Sequence, residues 1–347
     1  MITHSKPWII DADRYAVDRV LADGLIAQGE HVREFERECA RYLCVADAVA
    51  VGSGTAALIL ALRALQLKDG AEIILPTYVC RNVIEAVTTV GCSPVLCDVG
   101  DTWNVTVEMV GQAMSRRTGA IIIVHTFGIP VDTQHFRQFG VPIVDDACQA
   151  FGASLGGHMS GTVGDVGVFS FHATKCLTTG EGGLAVSNDR RLVERMRALR
   201  DGRAGEAARS ASPMSDLEAA LGRSQLGRYS EFLDRRRELA RVYLEELADC
   251  AIDLPWNIRE TSIFFRFPVR MQRGFEVFRE CLAEQGIQVR RGVDALLHWT
   301  VQQRSRGFGN AELLFAETVS LPIYPALTPV EQEKIIEVCK RVVRKEA

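Results

Sequence analysis

The chain predicts an α/β fold in which a mostly parallel sheet is covered by helices on both faces. Three observations carry that expectation. From Ala48 to about Val144, short apolar runs alternate with segments of helical periodicity. Two glycines stand where the first run turns into a helix, in Val51-Gly52-Ser53-Gly54-Thr55-Ala56-Ala57-Leu58. A later apolar run, Val141-Pro142-Ile143-Val144, ends on two consecutive acids, Asp145 and Asp146, at the strand end where open α/β sheets gather their ligands.

The elements follow in order. The first strand is Ala48 to Val51, and the helix behind it runs from Ala56 to Leu65, with Leu58, Leu60, Leu62 and Leu65 among alanines. Strand Glu72 to Leu75 leads to helix Val83 to Val90, and strand Ser93 to Asp98 to helix Val105 to Met114. Strands Ala120 to Val124 and Pro142 to Val144 come next. Two further apolar runs, Val166 to Phe171 and Leu184 to Val186, enclose a polar loop. Arg190 to Arg200 reads as a charged helix and Asp201 to Pro213 as a loop. A long helical region from Ser215 to about Leu247 then leads into a smaller α/β part. That part holds strand Ile263 to Val269 and helices Phe275 to Gln285 and Pro329 to Val343. The division expected is a large domain over residues 1–235 and a small C-terminal domain over 236–347. The charge run Arg235-Arg236-Arg237-Glu238 predicts a solvated helix face.

Composition narrows the function. The 347 residues are 47% hydrophobic, enough to fill a large core, and the net charge of −4 gives no footing for nucleic acid. No apolar run approaches the ~20 residues of a membrane span, and Met1-Ile2-Thr3-His4-Ser5-Lys6 has no signal pattern. The 10 cysteines are scattered without a Cys-x-x-Cys pair. They read as reduced thiols of a cytoplasmic enzyme, not as a disulfide or zinc framework.

Four segments carry chemistry. In Ser170-Phe171-His172-Ala173-Thr174-Lys175, a lysine lies between two strands, beside hydroxyls and the glycines of Gly180-Glu181-Gly182-Gly183. Such a lysine is either a solvated loop residue or one kept neutral to hold a carbonyl cofactor as a Schiff base. Ser53, Gly54 and Thr55 open a helix, either as an ordinary cap or as a seat for phosphate on unpaired N–H groups. A buried acid at Asp145-Asp146 needs a cationic partner. The pyridine nitrogen of pyridoxal 5′-phosphate would be one, and a helix cap is the alternative. Tyr78, in Leu75-Pro76-Thr77-Tyr78-Val79-Cys80, either stacks on a flat ring or simply packs.

Taken together, these motifs resemble the DegT/DnrJ/StrS family of sugar aminotransferases, whose fold is the aspartate-aminotransferase-like fold type I of pyridoxal-phosphate enzymes. The similarity covers nearly the whole chain. It includes Gly29-Glu30-His31-Val32-Arg33-Glu34-Phe35-Glu36, Val124-His125-Thr126-Phe127-Gly128, Met214-Ser215-Asp216-Leu217-Glu218 and Leu321-Pro322-Ile323-Tyr324-Pro325. The resemblance implies a seven-stranded sheet in the large domain, with Lys175 as the Schiff-base lysine and Asp146 paired with the pyridine nitrogen. It places Gln149 on the phenolic-oxygen side and Tyr78 against the ring face. Ser53, Gly54, Thr55 and Ser170 would bind the phosphate, and His172 would stand on the substrate side.

The implied activity is a two-stage transamination from an amino acid, L-glutamate or L-glutamine, to a keto-sugar, often nucleotide-linked. A homodimer with the site at its interface is also implied. The alternatives are a non-sugar ketone as acceptor, a dehydratase on the same scaffold, or a regulatory protein that binds the cofactor. Two segments depart from the family pattern. The stretch Arg203 to Pro213 lacks the Asn and Arg usual before the Met-Ser-Asp helix, and Gly286 to His298 lacks the usual Tyr-x-Pro-Leu-His form. Both departures bear on substrate and subunit contacts more than on cofactor chemistry.

Overall fold

The structure, a computed structural model, describes residues 1–203, 212–255, 258, 260–271, 274–301 and 307–344. The helices are α1 Asp11–Asp23, α2 Glu30–Leu43, α3 Gly54–Ala64, α4 Arg81–Thr89, α5 Val107–Ala113 and α6 Arg190–Asp201. They continue with α7 Asp216–Leu226, α8 Tyr229–Glu246, α9 Phe275–Glu284, α10 Leu297–Thr300, α11 Gly309–Glu317 and α12 Pro329–Arg344. The strands are β1 Asp47–Val51, β2 Glu72–Pro76, β3 Ser93–Cys97, β4 Thr118–Val124, β5 Ile143–Asp146 and β6 Ser154–Leu155. The remaining strands are β7 His158–Met159, β8 Val166–Ser170, β9 Gly183–Ser187, β10 Phe267–Arg270 and β11 Thr318–Leu321.

Seven strands form the main sheet in the order β1-β9-β8-β5-β4-β2-β3. The pairs from β8 to β3 are parallel, and β9 runs antiparallel to both β1 and β8. Strand alternation sorts the side chains onto two faces. In β4, Ala120, Ile122 and Val124 pack on the side of α3, whereas Ile121 and Ile123 join the opposite core. In β5, Val144 takes the α3 side and Ile143 the other. The same alternation sends Asp145 and Asp146 to opposite faces.

The opposite core continues without interruption into the C-terminal part, where Leu239, Phe267, Leu321 and Ile335 pack in one cluster with Ile74 and Ile123. The expected domain boundary at 235/236 falls inside α8. Arg236 also departs from the solvated face predicted for its charge run. It is 3% exposed, and its Nη1 donates to the carbonyls of Phe264, Phe265 and Ile323 at 2.9, 3.2 and 3.0 Å. A buried guanidinium there satisfies carbonyls of irregular backbone that no strand partner reaches.

Two more expectations shift. The helical region from Ser215 breaks at Gly227 and Arg228 into α7 and α8. Strand β10 starts only at Phe267, because Phe264 takes a left-handed φ of 49° and its N–H bonds to Ser262 Oγ. That irregular passage docks on the large sheet through Ile263 N–H to the Gly128 carbonyl, 3.2 Å. Of the expected loop Asp201 to Pro213, residues 204–211 lie outside the described residues.

Candidate active site

A cavity of ≈ 460 Å³ opens where β1, β5 and β8 end and α3 and α4 begin. Its wall is built from Ser53, Gly54 and Thr55, from Asp146 and Cys148, from Ser170, His172, Thr174 and Lys175, and from Cys80, Asn82 and Glu181. Six of the eight sequence-predicted site residues therefore meet in one place: Ser53, Gly54, Thr55, Asp146, Ser170 and Lys175.

The α3 end is a prepared anion seat. Ser53 caps the helix by accepting from Ala56 N–H at 3.1 Å, which leaves the first amides of α3 without helical partners. Gly54 is required by close approach: a Cβ there would stand 2.7 Å from Ser170 Cβ and 3.3 Å from Cys148 Sγ. The Thr55 hydroxyl accepts from Asn82 Nδ2 at 2.9 Å, so its own proton is free to be donated elsewhere.

Asp146 is 5% exposed and accepts from Cys148 N–H at 3.0 Å. Burial pushes its carboxyl above the usual range, opposed by Cys148 and by the Lys175 charge. Asp145 is fully satisfied on the other face. Its oxygens accept from His125 Nε2 at 2.6 Å, from the Thr133 hydroxyl, and from the amides of Gly161, Val163 and Gly164. Burial works to raise that carboxyl, but the His125 and hydrogen-bond contributions outweigh it and leave it below the usual range. Because Val131 N–H donates to His125 Nδ1 at 2.9 Å, the proton on His125 sits at Nε2, facing Asp145.

Lys175 Nζ lies 4.8 Å from the centroid of the Phe265 ring. His172 borders the same cavity, with Nδ1 2.9 Å from Thr174 Oγ1 and Nε2 3.6 Å from Glu181.

Two expected residues are elsewhere. Tyr78 does not lie on a cavity face: it is fully buried, edge-on to Phe127 at 6.4 Å, and a Cβ on Gly292 would stand 2.3 Å from its hydroxyl. The chain after β2 turns this ring into the core shared with the C-terminal part, and Cys80 takes the cavity wall. Gln149 is outside the wall as well. Its Oε1 accepts from Phe127 N–H at 2.8 Å, holding a residue at the left-handed φ of 60°. Sequence reading missed Asn82, Cys80 and Glu181. Asn82 had a signal, since it stands at a strand-to-helix junction just as Thr55 does.

The DegT/DnrJ/EryC1/StrS aminotransferase family model matches residues 8–340. The chain belongs to that family. It is an aminotransferase, and its cofactor is pyridoxal 5′-phosphate. Among its relatives, a dTDP-3-amino-3,4,6-trideoxy-alpha-D-glucose transaminase of Micromonospora megalomicea is 31% identical, over 94% of each chain. A UDP-N-acetyl-3-dehydro-alpha-D-glucosamine 3-aminotransferase of Acidithiobacillus ferrooxidans is 30% identical, over 94% of this chain and 92% of its own. The aminotransferase TlmJ of Streptoalloteichus hindustanus superposes with a TM-score of 0.94 at 31% identity, covering 100% of both chains. Spr1654 of Streptococcus pneumoniae in its PLP-form superposes at 0.91 with 28% identity, over 99% of both.

The residues present in the aminotransferase fit that cofactor. The space a Cβ would fill at Gly54, the open amides of α3 and the Ser170 hydroxyl suit a phosphate. Asp146, buried and bordering the cavity, suits a cationic ring nitrogen.

Proposed function

We propose that this aminotransferase moves an amino group from an amino acid, L-glutamate or L-glutamine, to a nucleotide-linked keto-sugar. The convergence of Lys175, Asp146 and the α3 amides on one cavity is the observation that carries the reading. The acceptor class is supported by relatives named for dTDP- and UDP-linked sugars and by DesI, solved in the presence of its TDP-sugar product (27% identity, TM-score 0.90).

In this reading Lys175 would hold the cofactor through Nζ, and its amine would serve as the proton carrier at the donor's Cα. When bound, the cofactor supplies an electron sink for the carbanion formed at the donor. Asp146 stabilises the protonated ring nitrogen. Ser170, Thr55 and the amides of Gly54 and Thr55 orient the phosphate, with the Ser53 cap holding that helix end in place. His172 and Glu181 stand on the substrate side. The Phe265 ring stands 4.8 Å from Lys175 Nζ and offers that amine an apolar face.

Exposed apolar side chains in the N-terminal region, Tyr15, Leu21, Leu25 and Ile26, support a homodimer. A monomer in sedimentation would remove that part of the reading. The residue division 1–235 and 236–347 stays a proposal of two domains sharing one core.

The test is a visible spectrum of the protein with pyridoxal phosphate, before and after L-glutamate. The reading expects a yellow band that bleaches with the amino acid and that Lys175→Ala does not form. A Lys175→Ala variant with normal turnover would overturn it.

A further inference from the structure

We infer that Asn82 is a positioning residue for the cofactor seat: its amide fixes the Thr55 hydroxyl as a donor to the phosphate. The inference rests on the reading of the α3 end as the phosphate seat. Two helices begin at the cavity wall, α3 with Gly54 and Thr55 and α4 with Asn82 and Val83. A side-chain hydrogen bond joins them, from Asn82 Nδ2 to Thr55 Oγ1 at 2.9 Å.

The direction of that bond decides what the seat offers. A threonine hydroxyl has one proton and two lone pairs, whereas a side-chain amide nitrogen only donates. Thr55 therefore spends a lone pair on Asn82 and keeps its proton. Within a helix that proton would go to the carbonyl one turn back. Thr55 stands in the first turn of α3, where no carbonyl of the helix lies one turn back. Its hydroxyl makes no other hydrogen bond among the described residues. The proton is left for the cavity, and with the open amides of α3 it meets a phosphate, whose oxygens accept, with donors.

Asparagine is not the residue that α4 would favour for its own stability. Position 82 lies in the first turn, near the positive end of the helix dipole, where an aspartate is stabilising. The N-cap, Cys80, gives no side-chain cap, yet Asn82 reaches across to α3 instead of to its own helix. Its neighbour Arg81 is committed to Glu85 at 2.8 Å. An acid at 82 would take the Thr55 proton for itself and set a negative charge beside an anion's seat. The neutral amide avoids both.

The experiment titrates the visible band of the protein with pyridoxal phosphate and with pyridoxal. Both are aldehydes that can react with Lys175, and they differ in the phosphate. In Asn82→Leu, affinity for pyridoxal phosphate should fall about tenfold, while affinity for pyridoxal stays unchanged. In a Thr55→Val background the same substitution should cost less than about twofold, because the hydroxyl it orients is gone. Asn82→Asp should lower pyridoxal phosphate affinity about a hundredfold. The ligand-free Asn82→Asp protein should nevertheless melt no lower than the wild type.

Equal losses with both aldehydes, or an undiminished loss in the Thr55→Val background, would overturn the inference. So would a lower melting temperature in Asn82→Asp with losses shared by the two aldehydes, which would make Asn82 a support of α4 alone. A wild-type preference for pyridoxal phosphate that every Asn82 variant keeps would overturn the inference and leave the phosphate seat standing. A wild type that binds both aldehydes equally would overturn the reading of the α3 end, and this inference with it.

Discussion

Asp145 and Asp146 are consecutive in β5 and point to opposite faces of the sheet. Asp145 accepts from His125, 2.6 Å away, and from three backbone amides, whereas Asp146 borders the cavity with a single amide donor. The pair separates a structural carboxylate from a functional one. Asp145→Asn should destabilise the protein by about 3–5 kcal/mol, the cost of breaking a buried pair. Asp146→Asn should melt near the wild type yet bind pyridoxal phosphate far more weakly. Urea unfolding and a cofactor titration on the two variants check this, and the opposite pattern would exchange their roles.

Gly54 is predicted to be intolerant of a methyl group. With a Cβ 2.7 Å from Ser170 Cβ, Gly54→Ala should lower cofactor affinity at least about tenfold, since a ~1 Å shift of the seat disturbs several charge-assisted hydrogen bonds. Adding Ser170→Gly should relieve the overlap and recover thermal stability without restoring affinity. Melting curves and fluorescence titration of single and double variants measure both.

Acid sensitivity should arise at His4. It is 4% exposed, 2.9 Å from Ser320 Oγ, and burial together with the charges of Arg266, Arg290 and Arg236 holds its imidazole well below the ordinary value. The unfolded chain then takes up a proton near pH 6.5 that the native state refuses. This contribution to stability is complete above about pH 6.5 and declines below it, by up to ~1.4 kcal/mol per pH unit. Chemical unfolding between pH 5 and 7 should show this slope in the wild type and a shallower one in His4→Gln.

Arg236→Met should destabilise by roughly 3 kcal/mol or more, because three buried carbonyls lose their donor at 1–3 kcal/mol apiece. An exposed neighbour, Arg237→Met, should change stability by less than about 0.5 kcal/mol. Equal effects from the two would return the charge run to the solvated helix face expected of it.

The sequence by itself determined the order of strands and helices from Ala48 onward, the glycine-marked turn into α3 at Gly52 and Gly54, and the motifs that carry the six residues at the cavity. These are local matters: apolar periodicity, turn chemistry and strand ends act over a few residues, and the motifs carry them directly. Tertiary structure decided the rest. The sidedness of Asp145 and Asp146 depends on which cores lie above and below β5. Tyr78 leaves the cavity because the C-terminal part packs against it through Gly292. Arg236 and Arg266 read alike as charges in a sequence. Only the fold sets Arg236 against three buried carbonyls and Arg266 against the Arg291 carbonyl, since burial and partners are supplied by segments distant along the chain.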